Sequence, residues 1–350
     1  MVTIKDVAQE SGYSITTVSL VLNDRPLART IAERTKSRIK ETARQLAYHP
    51  NIFARSLASK RSHTVGVMVS DIADPYFTHI ILGIENALYD SGYLPVLSDV
   101  RSNEARFRRS VNMLIERRVE GLIAVANSLY LRPNLLREFT ARKIPTVMIG
   151  RECGQRPMSF VVIDNEAGTR FGMEHLYSLG HRKIAFIRGP RKLIDSSKRW
   201  HGILAFAKEV GLSINPKLVV ELQAPTSSPE AGFEATLGLL RRHCPFTALM
   251  AFDDMTAFGA IRALAREGRR VPDDCSIVGF DDVATSAFYN PSLTTIHQPL
   301  ENLGAMGVAA VLKGIHACLT KVAFQPIHHR VKPVLIVRES TAAVRSALPG

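Results

Sequence analysis

Ser14-Ile15-Thr16-Thr17-Val18-Ser19-Leu20-Val21-Leu22-Asn23 is the segment from which the class of this chain follows. Ser14 is placed to cap a helix, because its short side-chain oxygen can accept from an N–H group that the first turn leaves free. Val18, Val21 and Leu22 recur on one face at helical spacing. The positions left pointing outward are Ile15, Thr16, Ser19 and Leu20. Upstream, Thr3 and Asp6 have capping-box spacing ahead of an apolar stripe of Ile4, Val7 and Ala8, which Gly12 stops. Downstream, Asn23-Asp24-Arg25-Pro26 is a break. Thr30 and Glu33 then repeat the capping-box spacing before a third helix with Ile31, Ile39, Ala43, Leu46 and Ala47 on its apolar face. Two short helices joined by a tight glycine-containing turn, with a third packed on both, are the parts of a helix-turn-helix unit. The same parts would also build a plain three-helix cap on an enzyme.

Charge favours the first alternative. The chain of 350 residues carries a formal net charge of +13. Within residues 1–61, eleven bases face five acids, so this head holds +6 and the other 289 residues hold +7. Net positive charge is therefore about four times denser in the head, a footprint suited to a polyanion whose counterions are released on binding. The length implies two or three domains, and 46% hydrophobic with 22% charged residues is the balance of a globular protein. No unbroken apolar run of about 18 residues stands out, and the first residues show no basic-then-apolar leader, so a cytoplasmic location without a membrane partner is expected. Cys153, Cys244, Cys275 and Cys318 are scattered, which argues against a zinc site or redox pair and for reduced, mostly buried thiols.

Three blocks carry a resemblance. Thr3-Ile4-Lys5-Asp6-Val7-Ala8, Ser14 to Asn23, and Tyr48-His49-Pro50-Asn51-Ile52-Phe53-Ala54-Arg55-Ser56-Leu57 occur in the order and spacing of the signature of the lactose-repressor (LacI/GalR) family. The chain resembles that family to about residue 340. The resemblance implies that Ile15, Thr16 and Leu20 face base edges, while Thr3, Ser14, Thr17 and Asn23 hold the phosphate backbone; base contacts specify and phosphate contacts set register. Many relatives carry Arg where this chain has Leu20, so its readout there would be an apolar contact, and no relative's operator transfers. Asn51 to Leu57 matches the family's hinge helix, with Asn51 as cap, Ala54 permitting close approach and Leu57 as a wedge for the minor groove. A helix that short is marginal alone and is expected to form on DNA, beside its twin from a second subunit.

From residue 64 the pattern alternates. Val65–Val69, Leu94–Leu97, Gly121–Val125 and Pro145–Ile149 read as strands separated by helical stretches, one of them around 133–142. A second series follows Asn165, with strands Lys183–Ile187, Leu218–Glu221, Ala248–Ala251 and Ser276–Gly279, and helices beginning near Glu166, Ser197, Pro229 and Met255. Such alternation implies parallel βαβ units. The expected fold is α/β: an all-α head (1–50) and hinge (51–63), then a two-lobed core (64–340) of doubly wound parallel sheets like a periplasmic binding protein, and a tail (341–350). By the resemblance the chain crosses between lobes three times. That places about 64–164 and 295–325 in the first lobe, and about 165–294 and 326–340 in the second.

Ligands of open α/β sheets sit outside the carboxyl ends of the strands. Asp71, Asp253 and Asp281 each follow a strand, Tyr76 and Phe77 lie just beyond the first, and Arg199 lies early in a helix. The resemblance implies that Arg199 and Asp281 are paired anchors in an effector pocket and that Asp253 is a further polar contact, usually Asn. An arginine among carboxylates suits a polyhydroxylated ligand, since each hydroxyl both donates and accepts, and Tyr76 or Phe77 would cover an apolar sugar face. Alternatively, Asp281 caps a helix and Arg199 merely pairs with it. Arg151 and Arg188 would leave room for an acidic sugar, and a purine stacked on Tyr76 and Phe77 is the other effector class. The pairs Asp253-Asp254 and Asp281-Asp282 lack any partner motif for hydrolysis. His175, His181 and His328-His329 lack metal spacing, and no GxGxxG, P-loop or GxSxG motif occurs. The expectation is a homodimeric repressor, not an enzyme, with no cofactor. It binds double-stranded operator DNA and answers to a small molecule between its lobes. The tail Thr341–Gly350 lacks leucine heptads, so a tetramer is not expected.

Overall fold

The computed structural model describes residues 2–23, 26–48, 61–126, 141–152, 158–223 and 227–344. It divides into two compact units, residues 1–62 and 63–350.

In the first unit, α1 (Ile4–Ser11), α2 (Ile15–Leu22) and α3 (Glu33–Gln45) close on a core of Val7, Ala8, Val18, Val21, Ile39 and Ala43. The Asp6 carboxylate accepts from both the Thr3 N–H (2.7 Å) and the Thr3 hydroxyl (2.8 Å), which fixes the start of α1. Gly12 ends it with φ 78°, in the left-handed region that favours glycine. Ser14 Oγ accepts from the Thr17 N–H at 3.2 Å, as the sequence predicts. The third helix starts differently. Pro26–Thr30 is a 3-10 turn in which the Thr30 hydroxyl donates to the Leu27 carbonyl at 2.8 Å, so Thr30 is spent locally and α3 begins at Glu33 with Ala32 ahead of it. Ala47 lies past the end of α3, exposed and with φ 49°. Leu46 and Ile31 pack on the core as expected. The whole hinge segment Asn51–Leu57, with Asn51, Ala54 and Leu57, lies outside the described residues, as does most of the helix expected around 133–142.

The second unit holds two six-stranded sheets. The first lobe comprises β1 (Thr64–Val69), α4 (Pro75–Asp90), β2 (Leu94–Asp99), α5 (Glu104–Glu116), β3 (Gly121–Val125), β4 (Thr146–Ile149) and β5 (Ser159–Ile163). The second comprises α6 (Asn165–Ser178), β6 (Ile184–Arg188), α7 (Ile194–Glu209), β7 (Val219–Glu221), α8 (Pro229–Leu240), β8 (Ala248–Met250), α9 (Asp254–Arg266), β9 (Ser276–Asp281) and β10 (Thr294–His297). The chain then returns as α10 (Leu300–Thr320) and β11 (His328–Val331), and ends with β12 (Val334–Ile336). The orders are β11-β5-β4-β3-β1-β2, all parallel, and β12-β10-β9-β8-β6-β7, parallel except for β12. Near-continuous burial of β1, β3, β4 and β9 follows from helices covering both faces.

Two lobe boundaries differ from expectation. Residues 295–297 stay in the second lobe, because β10 pairs parallel with β9, and the crossing falls at Gln298-Pro299. Residues 328–331 belong to the first lobe, because β11 pairs parallel with β5. His-His-Arg-Val at a sheet edge carries no apolar alternation, so β11 does not announce itself in the sequence. Among the described residues one helix, α10, is long and apolar enough to cross a membrane, at mean hydropathy 1.5, though no unbroken apolar run marks it. Its apolar side is instead buried on α4 and the first sheet through Leu303, Val308, Val311 and Ile315.

Glycine sets how closely these helices approach. A Cβ on Gly83 of α4 would lie 2.0 Å from the Glu301 carbonyl oxygen of α10, and one on Gly304 of α10 would lie 2.3 Å from the Ile80 oxygen. The same device joins α8 to α9, where a Cβ on Gly259 would meet the Pro229 oxygen at 1.9 Å. Gly83→Ala therefore forces backbone apart and is expected to lower stability by about 2 kcal/mol. Gly238→Ala in α8, with nothing within 4 Å of the new atom, is expected to raise it by about 0.5 kcal/mol through helix propensity. Paired thermal unfolding curves of the two variants check both signs.

Candidate functional site

The carboxyl ends of β1, β8 and β9 open on one cavity of about 490 Å³, including its mouth. Its lining includes Asp71, Asp74, Tyr76 and Phe77 from the first lobe, and Asp195, Arg199, Phe252, Asp253 and Asp281 from the second. All six residues expected from the sequence to meet an effector (Asp71, Tyr76, Phe77, Arg199, Asp253 and Asp281) line this cavity.

Arg199 organises its second-lobe wall. It is 7% exposed, on the sixth residue of α7. Its Nε donates to Asn165 Oδ1 (2.9 Å), Nη1 to the Phe252 carbonyl (2.5 Å) and Nη2 to Asp281 Oδ1 (3.2 Å). The guanidinium also lies 3.6 Å from the Phe280 ring centroid. Asp281 accepts as well from Gln298 Nε2 at 2.5 Å and takes φ 113°, outside the regions ordinary side chains favour. Such strain persists where surrounding contacts over-determine it. Burial pushes the Asp281 carboxyl well above its ordinary range, and the Arg199 charge works against that rise. Asp281 therefore does not cap a helix: it ends β9 and holds the arginine.

Helix starts place the remaining acids. Asp74 caps α4 and accepts from the Tyr76 N–H at 2.9 Å; Asp253 caps α9 and accepts from the Thr256 N–H at 2.8 Å. Burial, and then the Asp253 charge across the cleft, push Asp74 up to about 7. Asp195 accepts from Asn165 Nδ2 at 3.0 Å. Tyr76 and Phe77 meet edge to face, 5.1 Å between centroids, and burial pushes the Tyr76 hydroxyl far up. Asp74, Asp195, Asn165 and Phe252 escape the sequence reading. Asp74 had a signal, an Asp before the Pro at the first helical position, as did Asp195, one turn ahead of Arg199 on the same helix face.

Sequence neighbours part company. Asp254 turns into the core, 0% exposed, and accepts from the Val283 N–H, Ser286 and Thr295. Asp282 accepts from Arg338 at 2.7 Å and His297 at 2.9 Å. Neither Asp-Asp pair is a facing dyad. Arg188 does not line the cavity; it lies over Trp200 at 4.7 Å and 3.7 Å from Glu221. Arg151 does not line it either, so the two bases that would have favoured an acidic sugar stand elsewhere. His181 is 2% exposed and held by Thr247, Ser276 and the Ala342 carbonyl, and among the described residues no cluster fit for a metal occurs. An ion pair spans the lobes: Glu152, after β4, receives Lys198 Nζ of α7 at 3.2 Å, and it also receives Arg330 of β11 at 2.5 Å.

In the head, Ile15 and Thr16 are exposed, with Leu20 and Thr17 half-buried, while Val18 and Val21 face the core. Thr3 and Ser14 are exposed at the starts of α1 and α2. Asn23 spends its amide nitrogen on the Ser19 carbonyl at 2.9 Å, closing α2.

Residues 3–51 match the model of bacterial regulatory proteins, lacI family, and residues 173–341 match a periplasmic binding protein-like domain. Over 340 residues, the chain is 33% identical to the HTH-type transcriptional repressor PurR of Actinobacillus pleuropneumoniae serotype 3 (strain JL03), covering 97% of this chain and 98% of that one. The chain belongs to the lacI family. Members are DNA-binding transcriptional regulators, and PurR of Pectobacterium carotovorum subsp. carotovorum (strain PC1) is 35% identical over 347 residues, covering 98% and 97%. Among lacI-family structures, the lac repressor dimer bound to operator and the anti-inducer ONPF superimposes with TM-score 0.86 at 30% identity, covering 98% and 99%. A complex of the transcriptional regulator CelR with cellobiose gives TM-score 0.72 at 28% identity, covering 97% and 100%.

Removing the arginine leaves Asp281 buried without its partner. Arg199→Leu is expected to cost about 3 kcal/mol, and adding Asp281→Leu to recover part of that loss; denaturant unfolding of both variants checks the cycle.

Proposed function

We propose that this regulator represses transcription as a homodimer on a pseudo-palindromic operator and is released by a polyhydroxylated effector bound between its lobes. The observation that carries the effector reading is Arg199, locked at the strand ends among carboxylates of both lobes. Carboxylates accept from hydroxyls, and an arginine fixes ligand oxygens. The CelR–cellobiose neighbour supports it. Asp71, Tyr76, Phe77, Arg199, Asp253 and Asp281 are the proposed effector contacts, joined now by Asp74 and Asp195. A purine is the second reading, favoured by the relatives named PurR and by the aromatic lining of Tyr76, Phe77 and Phe252.

On DNA, Ile15, Thr16 and Leu20 are the proposed base readers, Thr3, Ser14, Thr17 and Asn23 the backbone contacts, and Asn51, Ala54 and Leu57 the hinge contacts in the minor groove. Apolar residues stand ready for a second copy on both lobes. Tyr89 (77% exposed) and Leu94 (65%) lie by the edge strand β2, and Phe288 (88%) lies beside the stacked pair Phe258–Tyr289. The lac repressor neighbour is a dimer on operator. The effector acts through its unequal affinity for two lobe arrangements, and so changes the spacing of the paired heads. This function involves no chemical turnover and no cofactor, and it is carried out in the cytoplasm, where the DNA is.

Selection of bound fragments from random DNA is the test. The full chain is expected to enrich one palindrome and Leu57→Ala to weaken it. Leu20→Arg is expected to shift one position of each half-site to G, since arginine donates twice to guanine. Absence of any enriched sequence, with and without pooled sugars and purines, would overturn the proposal.

A further inference from the structure

The cleft is unbalanced in charge. Asp71, Asp74, Asp195, Asp253 and Asp281 line it, and Arg199 is the one basic side chain in the lining among the described residues. That guanidinium is already engaged by Asn165, the Phe252 carbonyl and Asp281, so its charge is largely answered inside the second lobe. Asp195 takes the Asn165 amide, and Asp71, Asp74 and Asp253 add three further carboxylates from both lobes. The N-termini of α4 and α9 offset part of this, roughly half a charge each. The rest shows in Asp74, which the charge of Asp253 helps to push up to about 7.

A second observation points to a ligand in the same place. Tyr76 is 8% exposed and lines the cavity, yet its hydroxyl makes no hydrogen bond among the described residues. Its oxygen therefore opens on the cavity, where a ligand oxygen can meet it as donor or acceptor. Neutral hydroxyls answer single carboxylates well. They do not answer two carboxylates approaching from opposite lobes, whose mutual repulsion grows as the cleft closes.

We propose that the effector is a polyhydroxylated molecule bearing a cationic nitrogen, an amino sugar or amino alditol. Its ammonium sits between Asp74 of the first lobe and Asp253 of the second, and one of its oxygens meets the Tyr76 hydroxyl. The proposal rests on the polyol reading of the cleft and narrows it. The ammonium does two things at once. It supplies donors to both carboxylates, and it cancels the repulsion that resists closure, so the charge of the ligand becomes the signal that draws the lobes together.

Matched sugars test this on the full chain. Glucose, galactose and mannose are each compared with their 2-amino and 2-acetamido derivatives, and sorbitol with glucamine, by thermal shift and calorimetry at a pH where the amines are protonated. At least one amine is expected to stabilise the protein while its neutral parent and its acetylated form do not. Asp74→Asn and Asp253→Asn keep an oxygen to cap their helices, remove the charge and replace the second oxygen by an NH2 donor. Each is expected to weaken that amine at least ten-fold while the ligand-free melting temperature does not fall. A neutral parent or acetylated form that binds as tightly as the amine overturns the proposal and leaves the polyol reading intact. So does an amine affinity unchanged in both variants. No stabilisation by any member of either series overturns the two together.

Discussion

A single buried cation holds the cleft in shape. Arg199 reaches from α7 to the loop after β8 through the Phe252 carbonyl, to the end of β9 through Asp281, and to the start of α6 through Asn165. Taking a guanidinium out of water is costly unless each face and edge is answered, and here hydrogen bonds answer the edges while Phe280 answers a face. The unusual backbone of Asp281 sits inside that scaffold. The chemistry a ligand meets is thus fixed by a network inside one lobe before the other lobe arrives.

Short crossings at 164, 298–299 and 332–333 join the two lobes, and the Glu152–Lys198 pair spans the gap. Each lobe, by contrast, is rigid within itself, because its helices approach to backbone contact at Gly83 and Gly304, or at Gly232 and Gly259. Stiff bodies on short joints respond to a ligand by changing their mutual angle and not by deforming. Such a body can turn one small-molecule event into a displacement felt far from the cleft.

Much of this is legible in the residues. Helical spacing around Val18, Val21 and Leu22, and the caps at Thr3 and Ser14, give the head directly, because local hydrogen bonds and one small core decide it. The central strands β1, β3, β8 and β9 stand out as apolar runs because both their faces are buried. What fails is what depends on partners far away in sequence. β11 exists only because β5 offers it an edge, β10 remains with β9 although the chain is about to leave, and the polar ends of both carry no periodic signal. The site divides along the same line. Residues that follow strands (Asp71, Asp253, Asp281) are readable from topology. Asn165 and Gln298, which meet Arg199 and Asp281 from crossover segments, become visible only when the chain is folded. Thr30 shows the converse, a good local cap that a proline-led turn uses first.

Trp200 is the chain's one tryptophan, and it directly follows Arg199 on α7. Its indole packs edge to face on Phe186, 5.7 Å between centroids, and lies beneath the Arg188 guanidinium. Indole emission depends on nearby charge and on exposure to solvent, and every ultraviolet-excited photon from this tryptophan originates one residue from the anchor of the cleft. The regulator therefore carries a built-in optical gauge. Occupancy of the cleft and any shift of α7 would be read at a single known point, without a dye and without the averaging that several tryptophans would impose.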